Sequence, residues 1–185
     1  KAIQEPNLLS VIRACENSTK PVVGAVNGVS AGLGCSVAFA CDLVVAAASA
    51  RIGDGHLNFG QLPGAGGSQR LMRQVSPCKA REMMFLGERI TAEEAERIGL
   101  VSRHVPEDQL LETCYAMAER IAGFSRPGIE LTKRTLWSGL DAGSLEGHMQ
   151  AEGLGQLFVR LLTGNFEEAV AARAEKRAPV FTDDK

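Results

Sequence analysis

One histidine, His56, stands in the glycine-rich stretch KPVVGAVNGVSAGLGCSVAFACDLVVAAASARIGDGHLNFGQLPGAGGSQRL, which runs from Lys20 to Leu71. An imidazole takes and gives a proton near neutrality, so His56 is a candidate general acid or base. The alternative is a ring that hydrogen-bonds loop carbonyls or lines a pocket. Asp54, Asn58 and Gln61 are its polar neighbours, and Asp54, two residues away, could point elsewhere. Ser36 is a poor base by itself. With no Ser-His-Asp geometry evident in sequence, it reads as a hydrogen-bond donor or water holder, with a nucleophile as the alternative. In VSAGLGCS, Gly32 and Gly34 allow backbone conformations or close approaches that a side chain would block, and the helix beyond them offers unpaired N–H groups. Such a turn can hold a phosphate or an oxyanion. Its spacing fits neither GxGxxG nor GxxxxGK[ST], and glycines that merely let helix and strand pack closely remain the other reading. His104 and His148 fall on a connector and a late helix, where packing or surface roles suffice.

The elements that must carry these residues follow from periodicity. Leu8, Leu9, Ile12 and Cys15 recur at helical spacing, and Asn17-Ser18-Thr19 before Lys20-Pro21 ends that helix. Val22 to Val26 and Leu43 to Ala47 are short apolar runs of the kind buried on both faces of a parallel sheet. The segment between them predicts a helix from the glycine turn to Asp42, hence a βαβ unit. Ser49 to Gly67 reads as a long loop. Helices follow over Gly64 to Val75, from the Ser76-Pro77 cap through Phe85, and from a Thr91/Glu94 capping box to Ile98. Leu100 to Val105 reads as a strand or extended connector. The rest is helical: Pro106 to Phe124, Pro127 to Leu140, Ser144 to Leu162, and Phe166 to Lys176 with Asn165 and Glu168 as a second capping box.

Length and composition bound the function. The 185 residues suit one domain; 45% are hydrophobic, 23% charged, and the formal charge is −2. Neither disorder nor a nucleic-acid surface is indicated. The cysteines Cys15, Cys35, Cys41, Cys78 and Cys114 lack a CxxC pair or a His/Cys cluster, which favours buried reduced thiols over a metal site or disulfides. No apolar run is long enough to span a membrane. The expected compartment is the cytoplasm, with a mitochondrial matrix address as the other possibility. The chain opens without methionine and enters a helix almost at once, so an upstream portion is expected.

The order VNG, AGLGCS, ACDL, small-residue loop, LPGAGGSQRL resembles the enoyl-CoA hydratase/isomerase family, or crotonase superfamily, and the likeness continues through TAEEAERIGLVSRHVP to AEKRAPVF. The resemblance implies an α/β fold of stacked ββα turns in a partial core over residues 1–105. A C-terminal helical region over 106–185 would serve oligomerisation, into trimers that pair as hexamers. It implies an acyl-CoA thioester as ligand, with coenzyme A belonging to the substrate and no separate cofactor or metal. Two backbone N–H groups of that family bind the thioester oxygen; one would come from Leu33, the other from upstream of Lys1. Gly32, Gly34 and Gly64 would meet the substrate, and Arg51 and Lys176 would be the candidate contacts to CoA. Hydratases of the family carry glutamates where this chain has Ser36 and His56. The paired acid–base arrangement is therefore missing, and the expectation is an enzyme that stabilises a thioester enolate or oxyanion without efficient hydration. A non-catalytic acyl-CoA or fatty-acyl binding protein is the alternative.

Overall fold

A computed structural model describes residues 6–182. Its contacts divide the chain into two units: one holds the residues up to Ser18 together with Val22–Met117, the other Thr19–Pro21 and the residues from Ala118 onward.

The first unit opens with α1 (Pro6–Asn17) and continues β1 (Val23–Val26), β2 (Val29–Ala31), α2 (Leu33–Ala38), β3 (Leu43–Ala47) and β4 (Arg51–Gly53). After a 3-10 turn at His56–Phe59 come α3 (Gly67–Gln74), α4 (Pro77–Leu86), β5 (Ile90–Thr91), α5 (Ala92–Arg97), β6 (Arg103–Val105) and α6 (Leu110–Ala122), the last of which runs past the unit's end. One sheet has the order β1-β3-β6, all parallel; the other has the order β2-β4-β5, with β2 and β4 parallel and β5 antiparallel to β4. Each pass thus leaves its first strand in one sheet and its second in the other, breaking at a corner such as Asn27-Gly28. The expected βαβ unit is corrected to ββα. Val29–Ala31 is a strand, and α2 ends at Ala38, before Asp42. The loop expected over 49–67 likewise contains β4 and the 3-10 turn.

Strand β3 lies at the centre because it is apolar on both faces. Val44 and Ala46 join the cluster of Cys35, Phe39, Ile52, Leu71 and Met83, while Val45 and Ala47 face Leu110 and Cys114. The two-residue period of a strand divides them. Asp42 Oδ2 accepts the Val22 N–H at 2.7 Å and ties the start of β3 to the residue before β1. Ser76 and Thr91 cap α4 and α5 through the Lys79 and Glu94 amides.

The second unit contains α7 (Arg126–Gly139), α8 (Leu145–Leu162) and α9 (Asn165–Ala174). Ser125 and Ser144 cap α7 and α8. The Asn165/Glu168 capping box is not formed. Gly164 is the N-cap, and Asn165 spends its side chain on Ser125 Oγ (2.9 Å) and on both backbone groups of Thr182 (2.8 and 2.9 Å). None of the cysteines is in a disulfide among the described residues; Cys35 and Cys114 are buried, but Cys78 is exposed near the start of α4, against the expectation of burial.

Candidate active site

Gly32 joins β2 to α2 with φ 54° and ψ −116°, a conformation that strains any residue bearing a Cβ. Its N–H donates to the Asp54 carbonyl at 2.7 Å, and its carbonyl accepts the Ser36 N–H at 3.1 Å. Leu33 follows as the first residue of α2, so its amide is among those that no carbonyl of the helix can satisfy. The Leu33 side chain is exposed and contributes nothing to that donor. A Cβ placed on Gly32 would lie 3.5 Å from Cε1 and 3.7 Å from Nε2 of His56. The imidazole therefore sits over the glycine turn.

The ring is held there by its own loop. The chain leaves β4 at Gly53, places Asp54 in the interior, 3% exposed, and turns at Gly55 with φ 67°. Asp54 Oδ1 accepts the His56 backbone N–H at 3.0 Å, and both carboxylate oxygens stand 2.9 Å from His56 Nδ1. A carboxylate accepts and does not donate, so in the neutral ring the proton belongs on Nδ1 and the lone pair on Nε2. The hydrogen bonds of the described residues leave Nε2 unused, and the side chain keeps 23% of its surface exposed. Farther along, Asn58 Nδ2 donates to the Gly87 carbonyl at 2.9 Å and fixes the 3-10 turn to the end of α4.

Ser36 is placed differently. It is 1% exposed, and its hydroxyl has only long contacts, 3.4 Å to the Gly32 carbonyl and 3.5 Å to the Gly64 carbonyl. A Cβ on Gly67 would come within 2.8 Å of its Oγ. The serine is wedged between the glycine turn and the LPGAGG loop, and no hydrogen bond of the described residues joins it to His56. Arg70 braces that loop, donating Nη1 to the Ala65 carbonyl at 2.6 Å and Nε to Glu16 at 2.8 Å. Beneath the turn, the Cys35 thiol donates toward the Ser30 and Gly53 carbonyls at 2.8 and 3.2 Å. Burial pushes its pKa up to about 11, so it acts as a packed thiol and not as a nucleophile.

The structure thus gathers Gly32, Leu33, Ser36, His56 and Gly64 at one turn. Gly34, expected ahead of the helix, is instead the second residue of α2, where an added Cβ would make only ordinary contact with Ser30 Oγ at 3.5 Å. Arg51 donates Nη1 back to the carbonyls of Ser49 and Ala50, at 3.1 and 2.9 Å. Lys176 lies in the second unit, just past α9, exposed and with φ 55°. What sequence reasoning missed is the Asp54–His56 pair. Its signal was available in the tripeptide Asp-Gly-His, because a glycine able to take positive φ between the two lets the first side chain meet the backbone and ring of the second.

Residues 1–184 match the family model described as enoyl-CoA hydratase/isomerase. A probable enoyl-CoA hydratase, EchA12 of Mycobacterium tuberculosis, is 60% identical over 185 residues, which is 99% of this chain and 65% of that protein. The chain therefore spans a little under two thirds of the length of that relative. A crystal structure of a probable enoyl-CoA hydratase/isomerase from Mycobacterium abscessus is 54% identical with a TM-score of 0.93, covering 96% of this chain and 68% of the other. A monofunctional enoyl CoA isomerase from M. smegmatis is 53% identical with a TM-score of 0.70, over 77% of this chain and 68% of that one. With the ββα passes and the glycine turn in place, this chain belongs to the enoyl-CoA hydratase/isomerase family.

Proposed function

We propose that the protein is an enzyme of acyl-CoA thioesters that moves a proton beside an enolate, with the Leu33 amide on the thioester oxygen and His56 as proton carrier. Double-bond isomerisation, not hydration, is the reaction this arrangement supports best. The observation that carries the reading is the imidazole lying over Gly32 with Nε2 unengaged. In a 3-enoyl thioester, Nε2 takes a proton from the carbon next to the carbonyl, and the electron pair moves onto the thioester oxygen at the Leu33 N–H. The imidazolium then returns the proton two carbons farther along, and the double bond ends conjugated to the carbonyl. One base suffices. Hydration needs a second group to activate or hold water, and at that position Ser36 is buried with its hydroxyl turned to carbonyls. An oxyanion donor of the Leu33 type is worth about 2.7–4 kcal/mol, and a positioned base roughly 10²–10⁴-fold in rate.

The relatives' names carry both activities: EchA12 is named a probable hydratase, and the M. smegmatis protein an isomerase. The scheme uses no cofactor beyond the CoA of its substrate. Of the two cations expected near CoA, exposed Lys176 is favoured over Arg51, whose guanidinium is turned to its own backbone. Along α8, Leu145, Leu154, Leu157, Phe158, Leu161 and Leu162 are exposed, which supports the trimeric or hexameric assembly implied by the family. No helix of the described residues is long and apolar enough to cross a membrane, and a cytoplasmic location is part of the proposal.

The test is turnover of paired 2-enoyl- and 3-enoyl-CoA thioesters by the protein and by His56→Ala. The expected result is isomerisation of the 3-enoyl substrates, falling roughly 10²–10⁴-fold in the variant. Hydration of 2-enoyl-CoA faster than isomerisation, or unchanged turnover in His56→Ala, overturns the proposal. Calorimetric binding with no turnover of any thioester replaces it with the acyl-CoA binding protein.

A further inference from the structure

We infer that Asp54 is a positioning residue that couples the base to the oxyanion donor, holding the glycine turn with its carbonyl and the His56 ring with its carboxylate. The inference rests on the reading of His56 as proton carrier. Strands β2 and β4 run parallel with Ala31 opposite Gly53, and the next carbonyl along, that of Asp54, accepts the Gly32 N–H at 2.7 Å. The ladder thereby reaches the residue immediately before the Leu33 amide. From the same residue the side chain turns back over Gly55 and accepts both the backbone and the ring N–H of His56, at 3.0 and 2.9 Å. One residue, nearly sealed from solvent, sets the distance between the N–H that receives negative charge and the nitrogen that receives the proton.

The chemistry of the side chain adds a second function. Because a carboxylate only accepts, it selects the ring tautomer with hydrogen on Nδ1 and keeps Nε2 free to accept a proton. When Nε2 takes the proton, the imidazolium forms against the carboxylate already in contact with it, and no group has to move. An amide in the same place reverses the polarity. Its Oδ1 can still accept the His56 backbone N–H, but its NH₂ donates to Nδ1, which forces the ring proton onto Nε2 and blocks the base. The backbone ladder from Gly32 is untouched by that change, so the two functions of Asp54 separate in one variant.

The experiment is ¹⁵N NMR of the histidine side chains in the protein and in Asp54→Asn, with His56→Gln identifying the resonance, beside kcat and KM for a 3-enoyl-CoA. The expected wild-type signature is a pyrrole-type Nδ1 and a pyridine-type Nε2 on neutral His56, exchanged in Asp54→Asn. The expected kinetic effect is a fall in kcat of roughly 10²–10⁴-fold with KM within about threefold, since the hole and pocket stay in place. A wild-type ring protonated on Nε2 overturns the inference even if the variant fails to fold. So does an Asp54→Asn protein that keeps both the wild-type tautomer and its kcat. An exchanged tautomer in a protein pair that turns over no thioester confirms the positioning and refutes the isomerase reading alone.

Discussion

Replacing Gly67 by alanine tests whether Ser36 is packed into the floor of the site as the structure places it. The added Cβ would stand 2.8 Å from Ser36 Oγ, about 0.6 Å inside the 3.4 Å at which ordinary contact begins. Ser36 is sealed between the glycine turn and the Gly64 carbonyl, so either the hydroxyl rotates off both carbonyls or α3 shifts outward. Overpacking of this size costs about 1–3 kcal/mol, and the smaller unfolded-state entropy of alanine returns about 0.4–1 kcal/mol. Gly67→Ala is thus expected to lose roughly 0.5–2 kcal/mol. Ser36→Ala removes two long hydrogen bonds and is expected to cost under about 1 kcal/mol. In the double variant the overlap disappears, so the two changes should couple favourably by about 1–2 kcal/mol. Urea unfolding of the four proteins, with m-values unchanged, measures the cycle. Additive effects, or a Gly67→Ala protein as stable as the parent, would refute this placement of Ser36. The Ser36→Ala protein is informative again in turnover: a nucleophilic serine loses all activity, whereas a packed one keeps most of it.

Gly32→Ala is expected to be more damaging to function than to stability. At φ 54° and ψ −116° the strain is about 1–3 kcal/mol, and relief of it rotates the peptide that leads to the Leu33 amide, so kcat should fall while the urea midpoint drops modestly; wild-type kcat in a folded variant refutes that role for the turn. In the second unit, the Arg177 guanidinium and then the Val180 N–H hold the Glu168 carboxyl down at about 2, from an ordinary 4.5. A lowered pKa stabilises above the unfolded value, so this latch is complete above pH 4.5 and is lost as pH falls toward 2. Amide exchange at Val180 should quicken over that window and be nearly pH-independent, after correction for intrinsic exchange, in Glu168→Gln. Protection that does not change across the window sinks the argument.

How much of this was legible depends on element length and on contrast. Strands β1 and β3 are apolar runs buried on both faces, and such runs announce themselves. Strands β2 and β4 are VSA and RIG, too short for a two-residue period to show and too rich in small residues for burial to stand out. They exist because they pair with each other across the nineteen residues between Ala31 and Arg51, a tertiary fact. Caps at Ser76 and Thr91 were readable because the donor lies three residues away. Asn165 was not, because its partners are Ser125 and Thr182, distant in sequence. At the site, residue type alone marked His56 and the glycine turn. The burial of Ser36 and the capture of the imidazole by Asp54 required the fold of the loop.

Under the proposed function, that capture changes the meaning of a histidine where the family resemblance implies a hydratase glutamate. A glutamate at that position would present one negative charge directly to the substrate; here the charge sits one group behind, on Asp54, and a neutral ring stands in front. The pair carries the same charge before proton transfer and is neutral after it, as a glutamate would be. What changes is where the charge lies. A carboxylate facing a water molecule can orient it through two acceptor oxygens, whereas an imidazole offers one lone pair in the ring plane. A single directed acceptor suits carrying one proton between two carbons of a bound thioester, and is poorly suited to sharing a water with a second acid. Under the proposed isomerisation, Ser36, at the other position where the family resemblance implies a glutamate in hydratases, has no water to hold and is free to serve as packing.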